Sequence, residues 1–96
     1  MISIKEEFTG AGQSTDWITA RSGETLTARV RGTYTGSVIV ERKANDTGAD
    51  TAETVQTLVP WQDYDTSGTG EYQYRVRSTN DVEWSGMAIV GVISST

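Results

Sequence analysis

The sequence has no cysteine and no histidine among its 96 residues. Without cysteine, neither a disulfide nor a thiolate metal site can add to the stability of the fold. The common nucleophile–base pairs of catalysis and the main ligands of transition metals also require His or Cys. We therefore expect a non-enzymatic protein that binds no transition metal and carries no cofactor.

Helical periodicity and long apolar runs are absent as well. No segment places apolar residues at i, i+3, i+4 and i+7 over three turns, and no run of 18 apolar residues could span a membrane. Acidic residues stand near the N-terminus, where a signal peptide would carry basic ones. The chain has one proline and 10 glycines, and its many threonines favour strands. The sequence predicts an all-β protein without an export signal.

The charge of the chain is acidic, with 13 Asp and Glu against 8 Lys and Arg and a formal net charge of −5. A chain of this sign is not attracted as a whole to nucleic acid or to an anionic membrane. We expect neither as a partner. Its length predicts a single domain, residues 1–96, and a domain this small gains stability readily from association with a partner.

Alternation of apolar and polar residues is clearest in residues 25–31 and 71–77, each of which ends in Arg-Val-Arg. This is the period of a half-buried β-strand. Similar patterns predict seven strands, at 2–8, 14–19, 25–32, 37–43, 53–59, 71–79 and 87–93. Turn signals recur every 8–12 residues or so, which is typical of an antiparallel β-sandwich or jelly roll. The expected core includes Val30, Val38, Val40, Tyr74, Val76 and Ile89.

The last predicted strand is apolar on both faces. One interpretation is an interior strand covered by protein on both sides. The other is that a neighbouring subunit covers one face, so that Met87, Ile89, Val90 and Val92 belong to an interface. In a two-layer sandwich each strand normally keeps one face in water, which keeps the second interpretation open.

Residues 63–68, Asp-Tyr-Asp-Thr-Ser-Gly, match the opening of a calcium-binding loop. The twelfth position of that loop requires a bidentate Glu, and here it is Tyr74. An EF-hand is therefore excluded. A looser calcium site at Asp63 and Asp65 remains a weak candidate, and the alternative is that both acids cap backbone N–H groups in an Asx-turn.

Tryptophan is the residue type that suggests a ligand, since sugars stack on exposed indole rings. Of Trp17, Trp61 and Trp84, the last two lie near predicted loops and are the candidates for ligand stacking. The alternative is that they pack in the core or at its rim.

Four arginines could form one basic stripe if the two Arg-Val-Arg strands are neighbours. They are Arg29, Arg31, Arg75 and Arg77. Cross-strand pairing with glutamates, of which Glu24 and Glu71 flank these strands, explains such a stripe without a ligand.

Two longer patterns connect the chain with a known class of protein. Residues 32–42 read Gly-Thr-Tyr-Thr-Gly-Ser-Val-Ile-Val-Glu-Arg, and residues 70–76 read Gly-Glu-Tyr-Gln-Tyr-Arg-Val. A Ser85-Gly86 pair then precedes the last strand. Together these segments resemble small β-sandwich structural proteins of tailed bacteriophage virions, over about residues 15–93.

The resemblance implies a structural role and brings no catalytic or ligand residues with it. It suggests a capsid decoration (cement) protein or a fibre module, made in the host bacterial cytoplasm and present in the virion as a dimeric or trimeric homo-oligomer that binds capsid or tail proteins. The alternative function is a carbohydrate-binding or host-adhesion module of a phage fibre or a bacterial surface protein.

Overall fold

The computed structural model describes residues 2–85 and 88–95, and antiparallel β-strands dominate this part of the chain. The strands are β1 (Ile2–Phe8), β2 (Ile18–Thr19), β3 (Thr25–Arg31), β4 (Tyr34–Thr35), β5 (Val38–Ala44), β6 (Glu53–Leu58), β7 (Asp63–Ser67), β8 (Tyr72–Ser78), β9 (Glu83–Trp84) and β10 (Ala88–Ser95). A short 3-10 turn, Ala49–Thr51, precedes β6. Within the described residues, no helix has the length and apolar character needed to cross a membrane.

Two four-stranded sheets form the body of the fold. Their strand orders are β1-β10-β3-β7 and β2-β8-β5-β6, and β4 pairs with β9 in a separate two-stranded sheet. Every strand pair is antiparallel. The all-β prediction is confirmed, and inward side chains of both four-stranded sheets share one hydrophobic core.

The core follows from the period of two in the strand sequences, because alternate residues of a strand point to the same face. In β3 the buried positions alternate with half-buried ones, and in β8 the same alternation runs from Tyr74 to Ser78. Five of the six expected core residues are 0–4% exposed: Val30, Val38, Val40, Tyr74 and Val76. The side chain of Ile89 lies outside the described part of the structure. Phe8 and Leu26, both 0% exposed, complete the centre of the core.

The sequence predicts a loop at a position where the structure has a strand, and this prediction was wrong. Residues 61–70 were expected to be irregular, yet Asp63–Ser67 forms β7 at the edge of the first sheet. Aspartate, serine and glycine are depleted in strands, and this composition masked the pattern. Tyr64 and Thr66 are half-buried between exposed neighbours, so β7 shows the burial period of two of a β-strand.

The strand predicted at 14–19 is only partly regular. Just two residues form β2, but the segment before it still follows β8 through Thr15. The backbone N–H of Thr15 donates to the carbonyl of Val76 at 2.9 Å, and the Val76 N–H donates back to the Thr15 hydroxyl at 3.1 Å. The irregular stretch is therefore fixed along the sheet edge and does not form a free loop.

The two-stranded sheet closes one end of the sandwich around Tyr34 and Trp84. The turn before β5 contains Gly36 at φ 85°, where a Cβ atom would lie 2.3 Å from the Asp81 carbonyl oxygen, so only glycine fits. The buried Tyr34 hydroxyl donates to the Leu58 carbonyl at 2.8 Å. Burial raises the pKa of Tyr34 to about 12.

Candidate functional site

The most exposed large apolar side chains of the described structure lie together on the turn between β6 and β7. Val59 is 60% exposed and Trp61 is 61% exposed, and Pro60 between them is exposed as well. We call residues 59–62 the Trp61 turn. It joins edge strands of the two four-stranded sheets, so it lies where the sandwich is open.

Hydrogen bonds hold the backbone of the Trp61 turn in place. The Gln62 N–H donates to the Val59 carbonyl at 3.1 Å, and the Gln62 side-chain oxygen accepts from the Val59 N–H at 2.8 Å. The Gln62 carbonyl in turn accepts from the N–H of Val30 on β3, at 3.2 Å. Arg31 donates to the Trp61 carbonyl at 3.4 Å. The turn is thereby anchored to the first sheet.

Trp61 itself occupies the left-handed region, with φ 68°. Proline at the second position and a positive φ at the third are the signature of a type II turn, in which the third residue is normally Gly or Asn. A bulky residue there costs on the order of 1–2 kcal/mol of backbone strain. Since the indole gains little burial in return, its position is not explained by the packing of this domain.

Trp84, the other candidate for ligand stacking, has a different environment. Its side chain is half-buried and packs edge-on against Phe8 and Tyr34, at centroid distances of 6.1 and 4.9 Å. Its Nε1–H donates to the Gly10 carbonyl at 3.0 Å. These contacts are those of a packing residue, so Trp61 is the one of the pair that presents its ring to solvent.

Asp63 and Asp65 lie at alternate positions of β7, on the same face of the strand. Asp63 forms a 2.6 Å ion pair with Arg31 and a longer one, 3.7 Å, with Arg29, whereas Asp65 accepts a 2.7 Å hydrogen bond from Thr27. The hydrogen bond from Arg31 lowers the pKa of Asp63 below its ordinary value. The proposed Asx-turn was wrong, because these acids act as cross-strand partners in a sheet. Within residues 2–85 and 88–95, no cluster of three or more potential metal-ligating side chains is present.

The single arginine stripe is also wrong, because the two Arg-Val-Arg segments lie in different sheets. Arg29 and Arg31 are on β3 and pair with Asp63. Arg75 and Arg77 are on β8, where the Nε atoms of both donate to one oxygen of Glu41 on β5, at 3.0 and 2.8 Å. Pairing with acids was expected, but the partners are Glu41 and Asp63 and not Glu24 or Glu71.

A layer of charged and aromatic side chains on the second sheet was not predicted from the sequence. The Arg75 guanidinium carbon lies 4.4 Å from the centre of the Trp17 ring, and the Lys43 Nζ lies 5.2 Å from it. Both distances are those of cation–π contacts. We call Trp17, Glu41, Lys43, Arg75 and Arg77 the Trp17 face. Only the pairing of β8 with both β2 and β5 brings these residues together, and no local sequence pattern encodes it.

The predicted interface residues fall on or beside β10, which lies inside its sheet between β1 and β3. The register pairs Val90 with Val30 and Val92 with Ala28. Met87 lies outside the described residues, as do the side chains of Ile89, Val90 and Val92. The proposed interface therefore stays a prediction.

Comparison of the chain with protein-family models, with curated proteins and with solved structures finds no match in any of the three.

Proposed function

We propose that this chain is a non-enzymatic binding module that docks the Trp61 turn onto another protein of a larger assembly. The observation that carries the proposal is Trp61 itself, which is 61% exposed and held at φ 68° by an anchored turn. Strained residues persist where the surrounding structure fixes them, and they are often found at binding sites. Rigid aromatic side chains are also the most common anchors of protein interfaces.

The assembly that we propose is a tailed bacteriophage virion, in which the chain serves as a decoration protein or a fibre module. Support comes from the sequence resemblance and from the small antiparallel β-sandwich. Such a role requires a rigid domain that presents one anchored contact many times, and the Trp61 turn meets this requirement. Association of identical copies, through β10 or another surface, belongs to the same proposal.

The test is labelling of virions followed by rebinding. In phage particles produced by the strain that carries this gene, antibodies against the chain should label heads or tails at regular positions. Purified chain should rebind to particles that lack it, and Trp61→Ser should reduce that binding at least about tenfold, as expected for an interface anchor. Thr57→Ala, on the neighbouring strand β6, is the matched control and should bind like the wild type. Unlabelled virions would contradict the virion role, and full binding by Trp61→Ser would contradict the docking role.

A carbohydrate ligand is the second candidate, and the exposed indole of Trp61 is the observation that favours it. Arg31 donates to the Trp61 carbonyl and pairs with Asp63, so polar groups adjoin the turn. A glycan array should then show ligands that Trp61→Ser no longer binds and that Trp61→Phe still binds weakly. Trp84→Phe should leave such binding unchanged, because Trp84 packs against the core.

A further inference from the structure

We propose that the Trp17 face is a second binding site, and that it takes an extended acidic segment of a protein partner. The site is independent of the Trp61 turn, since it lies on β5, β8 and the segment before β2, in the other part of the second sheet. Its local charge opposes that of the molecule. It contains three cations and one carboxylate, a local excess of two positive charges on a chain of net charge −5.

Both arginines keep spare N–H donors, and Arg77, with 34% of its side chain exposed, is more accessible than Arg75, with 18%. Each donates its Nε–H to the same oxygen of Glu41, and these are their only hydrogen bonds to the described residues. The two Nη groups of each arginine, which can donate paired hydrogen bonds to a carboxylate, therefore have no hydrogen-bond partner within this part of the fold. Glu41 is 8% exposed at its side chain and cannot neutralise both guanidinium groups.

The face is also rigid before any ligand arrives. Trp17 stacks on Arg75, whose side chain is only 18% exposed, and Lys43 donates to the Thr47 carbonyl at 2.6 Å. Side chains that are already ordered lose little entropy on binding, which favours even a small contact.

Spacing and shape indicate a polypeptide as the ligand. Arg75 and Arg77 are alternate residues on the same face of one strand, so the site follows the strand direction and offers two guanidinium groups side by side, which suits an extended segment that carries several carboxylates. A sugar that stacks on an indole needs an open aromatic face, whereas the cations of both Arg75 and Lys43 already lie over the Trp17 ring. A long nucleic acid would extend over the acidic remainder of the surface, whereas a short segment responds mainly to charges within about 8–10 Å.

The probe is a blocked hexapeptide, Glu-Thr-Glu-Thr-Glu-Thr, titrated into the intact chain at an ionic strength of about 0.1 M, where charges more than about 10 Å away are largely screened. We expect chemical-shift changes at Trp17 Nε1–H and saturation in the millimolar range or below, and no response to the Gln-Thr-Gln-Thr-Gln-Thr peptide. Arg77→Gln should weaken binding about fivefold, and so should Lys43→Gln, which makes no ion pair with Glu41 and so tests the site without disturbing that network. Lys5→Gln removes one positive charge from β1 of the other sheet, where Lys5 is exposed, and should change the affinity less than about twofold.

Four results would overturn the proposal. They are no saturation by the Glu peptide, equal weakening by Lys5→Gln and Arg77→Gln, binding of free glucuronate or inorganic phosphate as tight as that of the peptide, and self-association of the wild type that Arg77→Gln abolishes. The last result would assign the face to a second copy of the chain. Circular dichroism of each variant establishes that it is folded before it is titrated.

Discussion

Replacing Phe8 with alanine should lower the free energy of unfolding by about 3–5 kcal/mol, the range for removing a large aromatic side chain from a core. Phe8 is 0% exposed, ends β1 and contacts the Trp84 ring edge-on. The lost free energy of unfolding therefore includes the cost of a cavity and the loss of an aromatic contact. A small domain has a total stability of about 5–15 kcal/mol, so the variant should melt far below the wild type.

Chemical denaturation monitored by tryptophan fluorescence measures this effect. Phe8→Leu is the matched control, because it retains most of the volume and should cost less than about 1.5 kcal/mol. A loss of less than about 1 kcal/mol for Phe8→Ala would contradict the placement of β1 over the core.

The second large effect is expected from Glu41, which is the acceptor for two arginines. Glu41→Ala leaves the guanidinium groups of Arg75 and Arg77 without their carboxylate, in a site where the Glu41 side chain is 8% exposed. Removing one partner of a buried ion pair costs several kcal/mol of stability. Because Arg77 is 34% exposed and partly solvated, we expect a smaller loss of about 2–3 kcal/mol. Urea denaturation gives the difference directly.

Glu53→Ala is the matched control for that measurement. Glu53 forms a 2.6 Å ion pair with Arg42 on the same sheet, but its side chain is 59% exposed. Exposed ion pairs contribute less than about 1 kcal/mol, so the two substitutions should differ clearly. Equal losses for Glu41→Ala and Glu53→Ala would mean that the network on the Trp17 face adds no more to stability than an exposed ion pair does.

Most of the fold could be predicted from the sequence, because polar and apolar residues alternate regularly along the strands. Val30 and Val76 lie at the centres of clear polar–apolar patterns, and both are fully buried. The prediction was wrong for β7, where Asp63 and Asp65 on the outer face suggested a loop. Their partners come from β3, more than 30 residues earlier in the chain, so the local sequence carries no sign of the pairing.

The candidate sites could be predicted from the sequence less completely than the fold. Trp61 was selected together with Trp84 as a possible stacking residue, but only the structure distinguishes the exposed ring from the packed one. The positive φ of Trp61, in the turn that follows β6, becomes visible only in three dimensions. Trp17 acquires its cations from two other strands, a relation set by sheet order.

The proposed function requires that Trp61 serves a contact outside this domain and does not stabilise the domain itself. The most direct measurement is the free energy of unfolding of Trp61→Gly. Glycine adopts φ 68° without strain. The strain that is relieved in the folded state offsets the greater conformational entropy that glycine gives the unfolded chain. The claim predicts that Trp61→Gly is as stable as the wild type or more stable by up to about 1 kcal/mol. A loss of more than about 1 kcal/mol would contradict it, because the indole would then be part of what holds the fold together.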